Sequence, residues 1–473
     1  MVAVKLFTKL SCVILFTFFT IKLCAQKSTL IEFGWDYPDV DQLSKNLPAM
    51  QQTPFDGMCF AFNREIMEAF DTLRRLPGYY QPEKLKNLQW GKYQSNFFIL
   101  WGFGKTGGHW FNDKIWNTIT CNMADLSKAL ANPGIRGVLF DPEYYYQNQL
   151  YNPWTYTKAQ YPNHTYNEMR LQVKKRGVQF IRALQKYKAD LTFLSIWITS
   201  LIAIDRLSST VENTRHALLM PFIEGILEGK KSTVKIIDGN EFAYWYGNPS
   251  QFLNAPASLQ ANLIDLMQSK KAKKEALKVE FAQPVFYDGI MGLTPEFNKG
   301  FSEATKWKWL EESTKFAFAA TNEFVWFYSE RINWWNGTVS DSLHQLLEVN
   351  KNAQATSSPL KRGEGQASRR ILRTENVNTG KGYFYLTKPK IPMDAGTVAF
   401  NYSLDQNTNK LSFNFAGKIP IKLSVFINNE LVVSTVPKST DFSVVLKNIK
   451  KGKLVMLAKY ADDSEATAIE ICK

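Results

Sequence analysis

The sequence predicts an α/β protein: a (β/α)8 TIM-like barrel followed by a small all-β antiparallel sandwich. Three observations carry this. Between residues 27 and about 345, short apolar, β-rich runs alternate with longer amphipathic ones, the order of parallel strands covered by helices. From 346 to 380 the composition turns polar, basic and poor in aromatics, and from 381 to 473 only strand signals remain.

The candidate barrel strands are LIEFGWD (30–36), FDGMCF (55–60), NFFILWGF (96–103), IRGVLFDPE (135–143), DLTFLSIW (190–197), GILEG (225–229), VKIIDGNE (234–241), PVFYDGIMG (284–292) and FVWFYSE (324–330). That is one more than an eight-stranded barrel needs. The chain between Gly229 and Val234 is too short for a crossover helix, so either GILEG or VKIIDGNE is expected outside the barrel. Helical patterns fill the other gaps. In YNEMRLQVKKRGVQFIRALQKY, Met169, Val173, Val178 and Ile181 form an apolar stripe among basic residues, as on a helix packed against a sheet. The expected organisation is a leader (1–25), a barrel (26–345), a linker (346–380) and a sandwich (381–473), with a hairpin turn at Asn428-Asn429. The sandwich suits either a structural cap on the barrel or a carbohydrate-binding module.

Lys5 and Lys9, the apolar run CVILFTFFTI and then LCAQ have the three-part plan of a secretory signal peptide, with cleavage expected after Ala25. The expected location is secreted or periplasmic. Lys22 shortens the run below a stable membrane span, and Leu23 before Cys24 disfavours lipid attachment. Beyond the leader only Cys59, Cys121 and Cys472 remain, enough for one disulfide at most. The net charge is +14, or +11 once the three leader lysines are set aside. It reads either as a generally basic surface or as attraction to an anionic (sulfated or uronic) polysaccharide. No compact basic and aromatic module points to nucleic acid.

The motif search excludes several chemistries. Gly102, Gly104 and Gly107 spell a G-x-G-x-x-G, but Gly108-His109-Trp110-Phe111 is a poor helix start for a phosphate site, and the ribose-binding acid is missing. The four histidines lack metal-ligand spacing, and there is no Gly-x-Ser-x-Gly. Neither a cofactor nor a metal is expected. What stands out is acidic residues at strand ends, where a barrel gathers its chemistry: Asp36, Asp141, Glu143, Asp238, Glu241, Asp288 and Glu330. If the strand runs on through Pro142, Asp141 and Glu143 face one side, and neighbouring carboxyls raise one another's pKa and supply a proton for a departing sugar oxygen. Trp35, Trp101, Trp110, Tyr144, Tyr145, Tyr146, Trp154, Tyr244, Tyr246, Trp326, Trp334 and Trp335 fall at or after the same strand ends and offer flat faces to sugar rings. The glycine-rich loop is expected to bring His109 and Trp110 to the same substrate.

With FGWD, FDPEYY, IDGNEFAYWYG and VWFYSE in these positions, residues 30 to 345 resemble a secreted TIM-barrel glycoside hydrolase, and the leader ending CAQ is similar to those of Bacteroidota. The resemblance implies hydrolysis of glycosidic bonds in an extracellular poly- or oligosaccharide. It implies Asp141, Glu143 and Glu241 as the catalytic set. An Asp ending the fourth strand is the nucleophile in many α-acting barrels, which fits Asp141 with Glu241 or Asp238 as acid/base. Glu143 fits the acid/base of β-acting barrels, although no Asn precedes it. The alternative is a glycan-binding protein that keeps the barrel without turnover.

Overall fold

A computed structural model describes residues 28–63, 65–200, 202, 210–246, 249–294, 302–336, 339–353, 364–370, 374–378, 385–389, 398–405, 407–447, 452–461 and 465–472. The expected leader lies outside the described residues.

Residues 29 to 329 carry a ring of parallel strands: β1 (Thr29–Gly34), β2 (Gly57–Phe60), β3 (Asn96–Trp101), β4 (Ile135–Asp141), β5 (Thr192–Ser195), β6 (Lys235–Asp238), β7 (Glu280–Phe281), β8 (Gln283–Phe286) and β9 (Phe324–Ser329). Neighbours pair in chain order, and β1 pairs with both β2 and β9. β7 pairs with β6 and β8 with β9, and only Ala282 separates them. They act as one stave, so the barrel has eight, and the ring closes through that segment. The strands are buried on both faces and read as near-continuous apolar runs, β3 as NFFILW.

The surplus strand signal is resolved. GILEG lies at the end of helix Leu219–Gly229, and the neighbouring run supplies β6. Nearly all of that helix is buried, so it lacks the polar face that would have marked it as helical. It lies against helix Tyr166–Leu184 at a glycine contact: a Cβ on Gly177 would sit 2.2 Å from the Phe222 carbonyl oxygen. PVFYDGIMG also divides, into β8 and helix Tyr287–Met291. Capping boxes start two helices where the sequence offers them, Asp39 with Gln42 and Thr165 with Glu168.

The C-terminal strands, from 364 to 472, are antiparallel. Glu364–Arg370 pairs with Val398–Asp405 along most of its length and with Glu465–Cys472 at its end, joining two sheets that face each other. This strand and the end of helix Asp341–Ala353 fall within the segment 346–380, expected as a linker. Phe400, Phe413 and Phe415 of one sheet meet Leu423, Val425 and Met456 of the other in a separate core. The Asn428-Asn429 turn has positive φ at both residues, 50° and 69°, as a two-residue type I′ hairpin requires. Phe426, Val455 and Leu457, on the opposite face of the second sheet, belong to the barrel's core cluster, so that sheet is covered on both sides. Cys59 and Cys121 are free thiols. Among the described residues no helix is long and apolar enough to cross a membrane.

Candidate active site

At the C-terminal end of the barrel a narrow cleft is lined by Phe33, Gly34, Trp35, Tyr37, Trp101, Asp141, Glu143, Tyr145, Ile196, Glu241, Tyr244 and Tyr328. The three carboxyls singled out in the sequence therefore meet, though by a route other than strand periodicity. β4 stops at Asp141, because Pro142 has no N–H to continue the ladder. The Glu143 N–H donates to Asp141 Oδ1 at 2.8 Å, an Asx turn that folds the second carboxyl back beside the first. β6 ends in the same way: Asp238 Oδ1 accepts the Asn240 N–H at 3.0 Å. Asn240 is left-handed, with φ 50°, and the chain turns into the short 3-10 helix Glu241–Trp245, whose first residue faces the cleft.

Burial dominates the electrostatics. It pushes the Asp141 pKa well above the usual carboxylate range, and the Glu143 charge adds to this. The Tyr145 hydroxyl, donating to Asp141 Oδ2 at 2.7 Å, and the Glu143 N–H pull the other way. Glu143 is also raised by burial, opposed by Tyr145 and by His216. Glu241 is raised well above its ordinary value by burial and then by the charges of Glu143 and Asp141. Gathering three acids in one buried cleft disfavours ionising all of them at once.

The walls are aromatic. Trp35 is 53% exposed at the rim, and Tyr244 stacks on Tyr328 with centroids 5.5 Å apart. The described lining contains no Lys or Arg, so the basic excess of the chain lies elsewhere. Among the described residues no group of three His, Cys, Asp or Glu is placed to hold a metal ion.

Other expected contacts are used elsewhere. Asp238 is fully buried and accepts from the N–H groups of Ile198, Thr199 and Asn240 and from the Thr199 hydroxyl, which ties the β5 loop to β6. Asp36 lies behind Gly34, where its Oδ2 accepts the Trp334 N–H and its carbonyl accepts the Trp335 indole N–H. Trp334 is buried against Phe55. Trp326 is fully buried, with its indole N–H on the Gly239 carbonyl. Tyr246 packs on Phe252 and approaches Asn240, Tyr144 donates to the Asn148 carbonyl, and Glu330 is exposed, accepting from Tyr328. Asp288 is buried under the backbone N–H groups of Glu330 and Arg331.

The glycine-rich loop is also built for packing. A Cβ on Gly102 would lie 2.4 Å from the Phe140 ring, and one on Gly104 would lie 2.6 Å from the Phe70 carbonyl oxygen. Trp110 is 1% exposed, in a core cluster with Phe70, Trp116, Trp154 and Phe222. His109 lines a different groove.

The structure adds groups that the sequence did not single out. Tyr37 and Tyr328 line the cleft, and His216 lies within electrostatic reach of Glu143 and against the Trp197 ring. Glu32, buried in β1, has its pKa raised by burial and then by Asp36. The Tyr146 hydroxyl donates to Glu68 Oε1 at 2.5 Å and the Lys105 N–H to Oε2 at 2.9 Å, pinning the glycine-rich loop.

No protein-family model matches the chain, and no curated protein matches it. Among solved structures it is similar to a broad-specificity endoglucanase from an uncultured bacterium, at 8% identity and a TM-score of 0.38, over 65% of this chain and 84% of that one. It is similar to an endo-β-1,4-mannanase of Cellulomonas fimi, a double mutant, at 7% identity and a TM-score of 0.32, over 94% of both chains. It is also similar to an endocellulase of the archaeon Pyrococcus horikoshii, at 9% identity and a TM-score of 0.33, over 69% and 93%. At this level of similarity, what the chain does is decided by its own side chains.

Proposed function

We propose that the protein hydrolyses glycosidic bonds of a neutral poly- or oligosaccharide, with Asp141, Glu143 and Glu241 as its working carboxyls. The observation that carries this reading is their convergence, from the ends of β4 and β6, in one cleft walled by Trp35, Tyr37, Trp101, Tyr145, Tyr244 and Tyr328. A glycosidase needs one carboxyl protonated and another anionic on the two sides of the bond. Glu241 suits the first role: burial and two acidic neighbours hold its proton on. We give Asp141 the second role because both of its oxygens accept hydrogen bonds, which oppose the burial that raises its pKa. The charge of Glu143 raises the pKa of each. The absence of Lys or Arg from the described lining favours a neutral sugar over a sulfated or uronic one at the cleaved bond.

The test is release of reducing ends from a panel of neutral, uronic and sulfated polysaccharides by the wild type, Glu143→Gln and Glu241→Gln. Release by the wild type that collapses in both variants supports the reading. Binding without release by any of the three would replace it with a glycan-binding role for the barrel.

A further inference from the structure

The groove that receives His109 shares no lining residue with the carboxyl cleft. It is formed by His109, Trp110, Phe111, Asn112, Asp113, Tyr161 and His164. These come from the loops that follow β3 and β4, so the groove opens on the same end of the barrel as the cleft. Two loops join them: one leaves β3 at Trp101, a cleft residue, and reaches His109 eight positions later, and the other carries Glu143 and Tyr145 of the cleft and Tyr161 and His164 of the groove.

We propose that this groove is a second glycan-contacting site, holding a neutral polysaccharide chain at the rim of the barrel mouth; this rests on reading the cleft as a glycosidase site. Three observations lead there. First, Phe111 is 43% exposed yet held flat, its ring stacked on the His164 imidazole at 3.8 Å with 2° between the planes. An apolar ring fixed at the surface beside polar groups matches a sugar, which has an apolar face and a hydroxyl edge.

Second, the loop is rigidly anchored from below. Arg176 is 1% exposed and donates through Nε to the Trp110 carbonyl at 2.8 Å and through Nη2 to Asp113 Oδ1 at 2.6 Å. Gln172 donates to the same carbonyl. Just before these anchors His109 keeps φ at 47°, a left-handed conformation that is costly for a residue with a Cβ, with its Nε2 2.7 Å from the Thr106 hydroxyl. Such a framework fixes the direction in which Phe111 points, and packing alone does not call for that at an exposed ring.

Third, among the described residues the lining of the groove holds no lysine or arginine to pair with an anionic chain. Asp113 is matched by Arg176, and burial lowers the His109 pKa below its ordinary value, which disfavours a charged imidazole there.

The test is electrophoresis of the Glu143→Gln protein through gels containing soluble glucan, mannan, xylan, galactan, polygalacturonate or a sulfated galactan. Retardation by at least one neutral polymer is expected. Phe111→Ala and Tyr161→Ala, each in the same background, should weaken it about tenfold, as loss of one stacking face implies. Phe111→Tyr keeps the ring and should restore it, which separates a lost contact from a misfolded loop. Retardation unaltered by both alanine variants overturns the proposal, and so does retardation confined to the anionic polymers or absent from all. Failure here is distinct from failure of the hydrolase reading. Wild-type release of reducing ends with no groove effect sinks only this site, and groove-dependent retardation with no release sinks only hydrolysis.

Discussion

The Tyr145 hydroxyl donates a 2.7 Å hydrogen bond to Asp141 Oδ2, four residues back along the chain. Since Asp141 Oδ1 already accepts the Glu143 N–H, the carboxyl has a donor on each oxygen. Those two bonds oppose a pKa that burial and the Glu143 charge drive upward. Tyr145 therefore helps to decide whether Asp141 is an anion at working pH.

Tyr145→Phe removes that donor with little change of shape. The Asp141 pKa should rise, so activity that depends on its anion should disappear at a higher pH on acidification. The acid limb of the kcat/KM profile should move toward neutrality, with a loss of about 10- to 100-fold at low pH, the usual worth of a hydrogen bond to a charged group. An acid limb left in place would remove Asp141 from the anionic role.

Glu143→Gln should lower turnover by about 10²- to 10⁴-fold if Glu143 takes part in proton transfer. Its charge also raises the Glu241 pKa, so the residual activity carries a second signature. With that charge gone Glu241 releases its proton more readily, and the alkaline limb of the residual profile should shift to lower pH. A limb that stays put would show that the two carboxyls are not coupled in solution.

Asp238→Asn tests a structural role. The carboxylate accepts from four donors while fully buried. An amide in its place turns two hydrogens toward some of those donors. A loss of about 2–4 kcal/mol in denaturant unfolding is expected. A variant as stable as the wild type but inactive would return Asp238 to the chemistry.

Glu32→Gln should stabilise the protein at neutral pH. Burial, then Asp36, holds the Glu32 pKa well above 4.5. From that pH upward the unfolded chain releases a proton that the folded chain keeps, so stability falls as pH rises through the window. Glutamine removes this dependence and can still donate toward Asp36. The melting temperature should exceed that of the wild type by about 2 °C or more at pH 7, with the difference vanishing near pH 4. A wild type that melts higher at pH 7 would contradict the assignment.

The architecture was legible in the sequence because parallel strands buried on both faces leave apolar runs of recognisable length. The exception, GILEG, failed for the same reason, since a helix with no polar face leaves the same trace. The acids of the cleft were legible because charge at a strand end is costly unless it is used. What the sequence could not show was how each was used: Asp238 and Glu241 are three residues apart, one consumed by a turn and the other facing the cleft. Aromatic residues were harder still. Trp110 and Trp35 carry the same ring, one at 1% exposure and one at 53%, and only the tertiary packing separates them. Tyr37 and Tyr328 carry no signal in the sequence, because a tyrosine near or in a strand is ordinary, and Glu32 is hidden inside an apolar run.

The sandwich sheet that carries Phe426, Val455 and Leu457 meets the barrel at the end of helix Glu303–Ala320, where Lys453 Nζ donates to the Phe318 and Thr321 carbonyls and the Asn429 amide donates to Thr321. The helix terminus is thus closed by residues from another part of the chain, more than a hundred positions away. A gene fusion or domain exchange that replaced the C-terminal segment would leave those carbonyls bare and the apolar face of the barrel uncovered, so the two parts are constrained to be inherited together.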